Sequence, residues 1–250
     1  MDIIYGRNSV KAAIRSGRSI DKLIASKELD DPSVREILTL AAQHHIPIIR
    51  ADRRKLDSMT MPFGFGGKPA NHQGVLAVMP ARDYDSIDDI FALAEKRGEP
   101  PFIILLDGIT DEGNLGSIIR SAEVLGAHGV IMGKRRSASL SAVAAKSSSG
   151  AADLIPIVKV TNLVSAIEEL KQKNVWTVAA DPEGQSADSI DMKGSIAIVV
   201  GSEGEGISRL VLENCDFKAR IPMKGQTGSL NAAVAAAVLM YEKVRQESAT

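Results

Sequence analysis

A chain of 250 residues that is 44% hydrophobic and 24% charged has room for one large or two smaller domains, with a core that needs neither disulfides nor a metal. Cys215 is the single cysteine, so an intrachain disulfide is excluded and a reducing, cytoplasmic setting is expected. The formal net charge of −1 leaves only local basic surfaces for a nucleic acid, the N-terminus shows no signal-peptide pattern, and no apolar run reaches the roughly 20 residues of a membrane span.

Residues 1–80 read as a small α/β unit. Asn8 or Ser9 is expected to cap a helix ending near Ser16, with Gly17 as its stop. Lys22-Leu23-Ile24-Ala25 is strand-like. Asp31-Pro32 is a strong helix start, an acceptor at the cap followed by proline at the first helical position. Val34, Ile37, Leu38 and Ala41 follow at helical spacing. Ile46-Pro47-Ile48-Ile49 reads as a strand, and Asp52 opens a short helix. A loop rich in Gly and Pro covers 61–74 and leads into a strand over 75–79. Phe63 and Phe65 in that loop either stack on nucleobases or cover a small core, and the core is the preferred reading. Arg50, Arg53, Arg54 and Lys55 form one basic cluster, and Lys134, Arg135 and Arg136 a second. Each is either solvated surface or an RNA contact.

Residues 81–101 are expected to be a linker that contains a helix over 86–97 and a break at Gly98-Glu99-Pro100-Pro101. From Phe102 the pattern alternates. Strands are expected at 102–106, 130–132, 155–160, 175–180, 196–200 and 218–221. Helices are expected at the first motif described below, over 138–148, from an Asn162 cap to about 173, over 208–214 and over 229–246. Continuous apolar strands alternating with helices predict a mostly parallel sheet covered on both faces over 102–250. The last helix is apolar nearly all round through 232–240, so it requires burial within its own domain or against a second copy.

Three segments in this half join glycine-containing loops to strands and helices. The first is Asn114-Leu115-Gly116-Ser117-Ile118-Ile119-Arg120-Ser121-Ala122-Glu123. The second is Ile198-Val199-Val200-Gly201-Ser202-Glu203-Gly204-Glu205-Gly206-Ile207-Ser208. The third is Ile221-Pro222-Met223-Lys224-Gly225-Gln226-Thr227-Gly228-Ser229-Leu230-Asn231. The glycine order of the second segment is not that of a dinucleotide site. Glu203 and Glu205 would repel a pyrophosphate and suit a cationic or neutral ligand. His44, His45, His72 and His128 do not combine with Cys215 or acids at zinc-ligand spacing, so no structural metal is expected. Lys146-Ser147-Ser148-Ser149-Gly150-Ala151 reads either as a phosphate-facing segment or as a serine-rich helix end.

The three segments together resemble the signature motifs of the SpoU (TrmH) branch of the SPOUT RNA methyltransferases. Ala70-Asn71-His72-Gln73-Gly74, with Arg7 and Asn8, resembles the substrate-recognition domain that precedes many SpoU catalytic domains. The resemblance implies a small α/β, ribosomal-protein-like RNA-recognition domain followed by a parallel-sheet α/β domain with a deep trefoil knot. It implies a homodimer in which residues of the first motif come near a partner's cofactor pocket. The implied reaction transfers a methyl group from S-adenosyl-L-methionine to a ribose 2′-hydroxyl of RNA. A guanosine of large-subunit (23S) rRNA is the preferred target, and transfer RNA the runner-up. Asn114, Arg120, Glu203, Ser229 and Asn231 are the implied catalytic residues. Gly201, Ile221, Met223 and Leu230 are the implied cofactor contacts. A guanidinium has no acceptor atom and a pKa above about 12. Arg120 therefore suits clamping a phosphate and stabilising an alkoxide better than removing a proton. Glu123, three residues on, is expected to pair with Arg120, and both Ser229 and Asn231 double as candidate caps of the last helix. A Rossmann oxidoreductase is opposed by the glycine order, and a non-catalytic RNA-binding relative by the presence of all five polar residues.

Overall fold

The structure, a computed structural model, describes residues 2–226 and 228–248. The chain forms two compact units, divided between Asp83 and Tyr84.

The first unit contains strands β1 (Asp2–Tyr5), β2 (Lys22–Ser26), β3 (Ile48–Ala51) and β4 (Val75–Met79), and helices α1 (Arg7–Arg15), α2 (Pro32–Gln43) and α3 (Arg53–Thr60). The sheet order is β1-β4-β2-β3, with β2–β3 parallel and the other pairs antiparallel. Alternation along the two central strands serves two faces. Leu23, Ala25, Val75 and Ala77 meet α1 and α2 through Val10, Ile14, Val34 and Ile37, whereas Ile24, Leu76 and Val78 meet Leu56 of α3. Asp31 caps α2 as expected, its carboxylate accepting from the N–H groups of Ser33 at 3.0 Å and Val34 at 3.2 Å. The expected cap of α1 is corrected. Gly6 precedes the helix at φ 87°, and the Arg7 N–H donates to Gln73 Oε1 at 3.0 Å. The partner of that first-turn amide lies far along the chain, so no local cap signal marks it. The core reading of the two loop phenylalanines is corrected as well. Phe63 leans on Tyr5 with ring centroids 5.9 Å apart, but Phe65 is 96% exposed.

The second unit contains α4 (Ile87–Arg97), β5 (Phe102–Asp107), α5 (Glu112–Val124), β6 (Gly129–Gly133), α6 (Ala142–Ser147), β7 (Ile157–Val160), α7 (Leu163–Gln172), β8 (Trp176–Ser186), β9 (Ile196–Gly201), α8 (Arg209–Glu213), β10 (Phe217–Arg220) and α9 (Ala232–Ser248). Its sheet runs β10-β8-β9-β5-β6-β7, every pair parallel. Both faces are covered, as the continuous apolar strands require. Ile104 and Leu106 of β5 face a core shared with α5, α6 and α9. Ile103 and Leu105 face one shared with α4, α7 and α8.

Two expectations differ here from what is observed. Residues 81–101 were expected as a linker, yet from Tyr84 onward they belong to the second unit. Tyr84 Oη accepts from the Leu140 N–H at 3.1 Å, the Asp85 carboxylate accepts from the Ile157 N–H at 2.7 Å, and Ile90 is fully buried. The helix expected over 138–148 is shortened. The Ser141 hydroxyl accepts from the N–H groups of Val143 and Ala144 at 3.2 and 3.4 Å and starts α6 at Ala142.

Candidate active site

Ligand sites in open parallel sheets form beyond the carboxyl ends of the strands. Here β5 ends at Asp107, β9 at Gly201 and β10 at Arg220. Asp107 Oδ2 accepts from the Ser208 N–H at 2.8 Å and ties the loop after β9 to β5. That loop is tight. Ser202 and Gly206 exchange backbone hydrogen bonds at 3.1 and 3.0 Å, and Gly206 sits at φ 67°. A Cβ on Gly201 would fall 2.1 Å from the Gly206 carbonyl carbon, so residue 201 must be glycine for the turn to close. Gly204 meets nothing within 4 Å and is not held to positive φ.

The turn presents Glu203 to residues from the other two motifs. Asn114 Nδ2 donates to Glu203 Oε1 at 3.0 Å, Asn231 Nδ2 donates to Asn114 Oδ1 at 3.0 Å, and Asn231 Nδ2 also donates to Glu203 Oε1. The Ala232 N–H adds a longer contact to the same oxygen at 3.4 Å. The orientation of Asn231 follows from its other side. Its Oδ1 accepts from the N–H groups of Ala233 at 3.0 Å and Val234 at 3.2 Å, so Nδ2 must face the two acceptors. Asn231 is thus the cap of α9 and a member of the cluster at once. Asn114 is fixed from behind, its N–H donating to the Asp111 carboxylate, which caps α5, at 2.7 Å.

Glu203 also lines a cavity of about 410 Å³, within the usual range for small-molecule sites. Gly201, Ile221, Met223, Ser229 and Leu230 line it too, so the loops after β9 and β10 bring all the expected cofactor contacts to one place. Among the described residues its wall is apolar, acidic or hydroxyl-bearing: Val200, Ile207, Leu212 and Ala219 stand with Asp181, Glu203, Glu205, Ser202 and Ser229, and no Lys, Arg or His takes part. Such a wall fits a cation carried on a largely apolar ligand and opposes a phosphate. Asp181 and Pro182, midway along β8, were not singled out from the sequence; an acid directly after an apolar run is the signal that marks them.

Two expectations are corrected at this site, and one open reading is decided. Ser229 is not the cap of α9, because the helix starts after Asn231. Arg120 makes no ion pair among the described residues, and its expected pairing with Glu123 is absent. Arg120 is exposed on α5 and lines no part of the cavity around Glu203. Of the two readings of segment 146–151, the serine-rich helix end is the one observed. The Ser148 hydroxyl donates to the Ala145 carbonyl at 2.7 Å and accepts from the Ala152 N–H at 3.3 Å.

His72, His128 and the cysteine are placed away from this site. His72 Nε2 lies 2.9 Å from Asp57 Oδ1 and His128 Nε2 lies 3.1 Å from Glu99 Oε2. Burial pushes the Cys215 thiol up to about 11.

Comparison with known proteins agrees with this geometry. The SpoU rRNA Methylase family matches residues 101–241, and the RNA 2′-O ribose methyltransferase substrate binding family matches residues 3–85. A Bacillus subtilis (strain 168) protein named for the TrmH family of tRNA/rRNA methyltransferases is 39% identical over 249 residues, spanning 99% of this chain and 96% of the relative. One from Staphylococcus saprophyticus, named for the same family, is 40% identical over 248 residues, spanning 98% and 96%. The SpoU methyltransferase AviRb from Streptomyces viridochromogenes, solved in complex with AdoMet, superposes with a TM-score of 0.61 at 28% identity, covering 99% of this chain and 91% of that one. With one family matching more than half of the sequence and relatives matching almost all of it, this chain belongs to the SpoU (TrmH) family of RNA methyltransferases.

Proposed function

We propose that the protein transfers the methyl group of S-adenosylmethionine to a ribose 2′-hydroxyl of RNA, with a guanosine of large-subunit ribosomal RNA as the target. The observation that carries this reading is the junction of Asn114, Glu203 and Asn231 beside a cavity walled by apolar and acidic groups. S-adenosylmethionine supplies an electrophilic methyl group on a cationic sulfonium. Glu203, Glu205 and Asp181 offset that charge, and Ile221, Met223 and Leu230 with the Gly201 backbone hold the apolar parts. Ser229 lines the same wall with its hydroxyl unengaged among the described residues.

Counting atoms identifies the groups left for the reaction. Both Nδ2 hydrogens of Asn231 and one of Asn114 are used inside the cluster. The second amide hydrogen of Asn114 and Glu203 Oε2 remain to orient the 2′-hydroxyl and its proton. Arg120 clamps the neighbouring phosphate and stabilises the developing alkoxide. Its distance from the cavity of its own chain is met by a homodimer, in which Arg120 of one protomer serves the pocket of the other. The apolar groove of about 490 Å³ between α5 and α9, bearing Val234, Val238 and Tyr241, is the proposed seat of that second copy. The reading also carries the trefoil knot in residues 102–250.

The test separates donor binding from transfer. Arg120→Ala should lower methyl transfer by about 100-fold or more while the calorimetric affinity for S-adenosylmethionine stays near wild type. Equal loss of both would refute the role assigned to Arg120.

A further inference from the structure

We infer that the first unit holds a seat for unpaired RNA nucleotides, formed by the Phe65 ring, the cations Arg53 and Lys68 and the polar cavity beside them. The inference rests on the reading that the protein acts on RNA, and it specifies which form of RNA is gripped and where. Charge is segregated along the chain. Residues 1–83 carry 13 Lys and Arg against 9 Asp and Glu, a formal +4, although the whole chain is −1. The local basic surface that the total charge conceals therefore lies in this unit.

The cavity, of about 610 Å³, is bounded by α3, the start of α1 and residues 68–74. Its inner wall is fixed by hydrogen bonds. His72 is 5% exposed; its Nδ1 accepts from the Gly74 N–H at 2.9 Å and its Nε2 donates to Asp57 Oδ1 at 2.9 Å. Arg7 is held by both oxygens of Asp31, at 3.1 and 2.6 Å. The groups left over are mostly donors. Arg53 and Lys68 have no ion pair among the described residues. Gln73 Oε1 accepts from the Arg7 N–H at 3.0 Å, and Asn71 Oδ1 accepts from the Gln73 N–H at 3.3 Å, while both carboxamide NH₂ groups are unengaged among the described residues. Glu28 and Asp57 are the acids of the lining. Free cations with two NH₂ groups match the phosphates and carbonyl edges of nucleotides.

Phe65 supplies the stacking surface. The loop that bears it is closed tightly, since a Cβ on Gly64 would fall 1.8 Å from the Lys68 carbonyl oxygen and the Lys68 N–H donates to the Phe65 carbonyl at 3.3 Å. Gly66 and Gly67, at φ 64° and 71°, turn the chain back. The ring, 96% exposed, thus stands at the tip of a short turn whose base delivers Lys68 to the cavity. A base face is available to such a ring only when the base is unstacked, which selects loops and single strands over duplex.

The test uses the full-length protein without a methyl donor, and two fluorescein-labelled RNAs read by anisotropy. One is a hairpin with a seven-nucleotide loop; the other is the same stem as a blunt duplex. The wild type should bind the hairpin more tightly. Phe65→Ala should weaken hairpin binding by between about 5-fold and about 150-fold, leave duplex binding unchanged and keep wild-type affinity for S-adenosylmethionine. Phe65→Tyr should restore the preference. Arg53→Ala and Lys68→Ala should weaken both RNAs and flatten the salt dependence. A wild type with no preference for the hairpin, an unchanged Phe65→Ala, or equal loss on both RNAs would overturn the inference. Because no methyl donor is present, none of these results depends on whether the protein methylates RNA.

Discussion

Asn231 serves two structural demands with one carboxamide. Its oxygen caps α9 through Ala233 and Val234, and its nitrogen joins Asn114 and Glu203. The two demands separate by substitution. Asn231→Asp keeps a good cap but sets a carboxylate against Glu203, so methyl transfer should be lost while the urea midpoint stays close to wild type. Asn231→Ala loses both functions and should cost about 1 kcal/mol of stability in addition. Retained activity in Asn231→Asp would contradict the cluster's role. At this scale the residues of the site were legible, but their arrangement was not. Ser229 looked as good a cap as Asn231, and only the fold shows Asn231 capping through Ala233 and Val234 while its other end meets Glu203 from another loop. The spacing from Asn114 to Arg120 is about one and two-thirds helical turns, so the two residues leave α5 on different faces. That places one in the cluster and the other outside it.

The helices α5 and α6 cross at close range. A Cβ on Gly116 would lie 2.4 Å from Ser147 Cβ and 2.5 Å from the Ala144 carbonyl oxygen. Gly116→Ala must push the helices apart, and it sits two residues from Asn114. A loss of about 1–3 kcal/mol in urea unfolding is expected, with a fall in methyl transfer from the displaced amide. Unchanged stability would contradict the contact. This explains why glycine and the serine segment occur together, which neither segment reveals alone. Elements with local signals were read well. The expected Asp31 and Asn162 caps both accept backbone N–H groups. Elements set by distant partners were not. The cap of α1 depends on Gln73, and β8 runs on to Ser186 because it pairs with β10 across a register shift between Lys218 and Ala219.

Over the whole molecule, the alternation of apolar strands and helices was enough to foresee a parallel sheet with two covered faces, while strand order and the division at Asp83 come from packing. One buried group ties the stability of the second unit to pH. His128 Nδ1 accepts from the Phe102 N–H at 3.0 Å, so Nε2 carries the hydrogen and donates to Glu99. Burial, then the Arg97 charge, hold its pKa below the ordinary 6.5 against the pull of Glu99. As pH falls below 6.5 the unfolded chain takes up this proton before the folded one, so stability should decline towards the lower folded-state pKa. Above 6.5 the group adds no slope. Denaturant midpoints at several acidic and neutral pH values should show the decline, and His128→Gln should flatten that part of it. An unaltered slope would contradict this role for His128.

The most direct measurement is transfer itself. The purified protein is incubated with radiolabelled S-adenosylmethionine and separate pools of unmodified ribosomal and transfer RNA, followed by digestion and identification of the labelled nucleoside. The account predicts label in 2′-O-methylguanosine from large-subunit RNA, abolished by Glu203→Gln and Asn231→Asp. Label on a base rather than a ribose, or full activity in both variants, would contradict it.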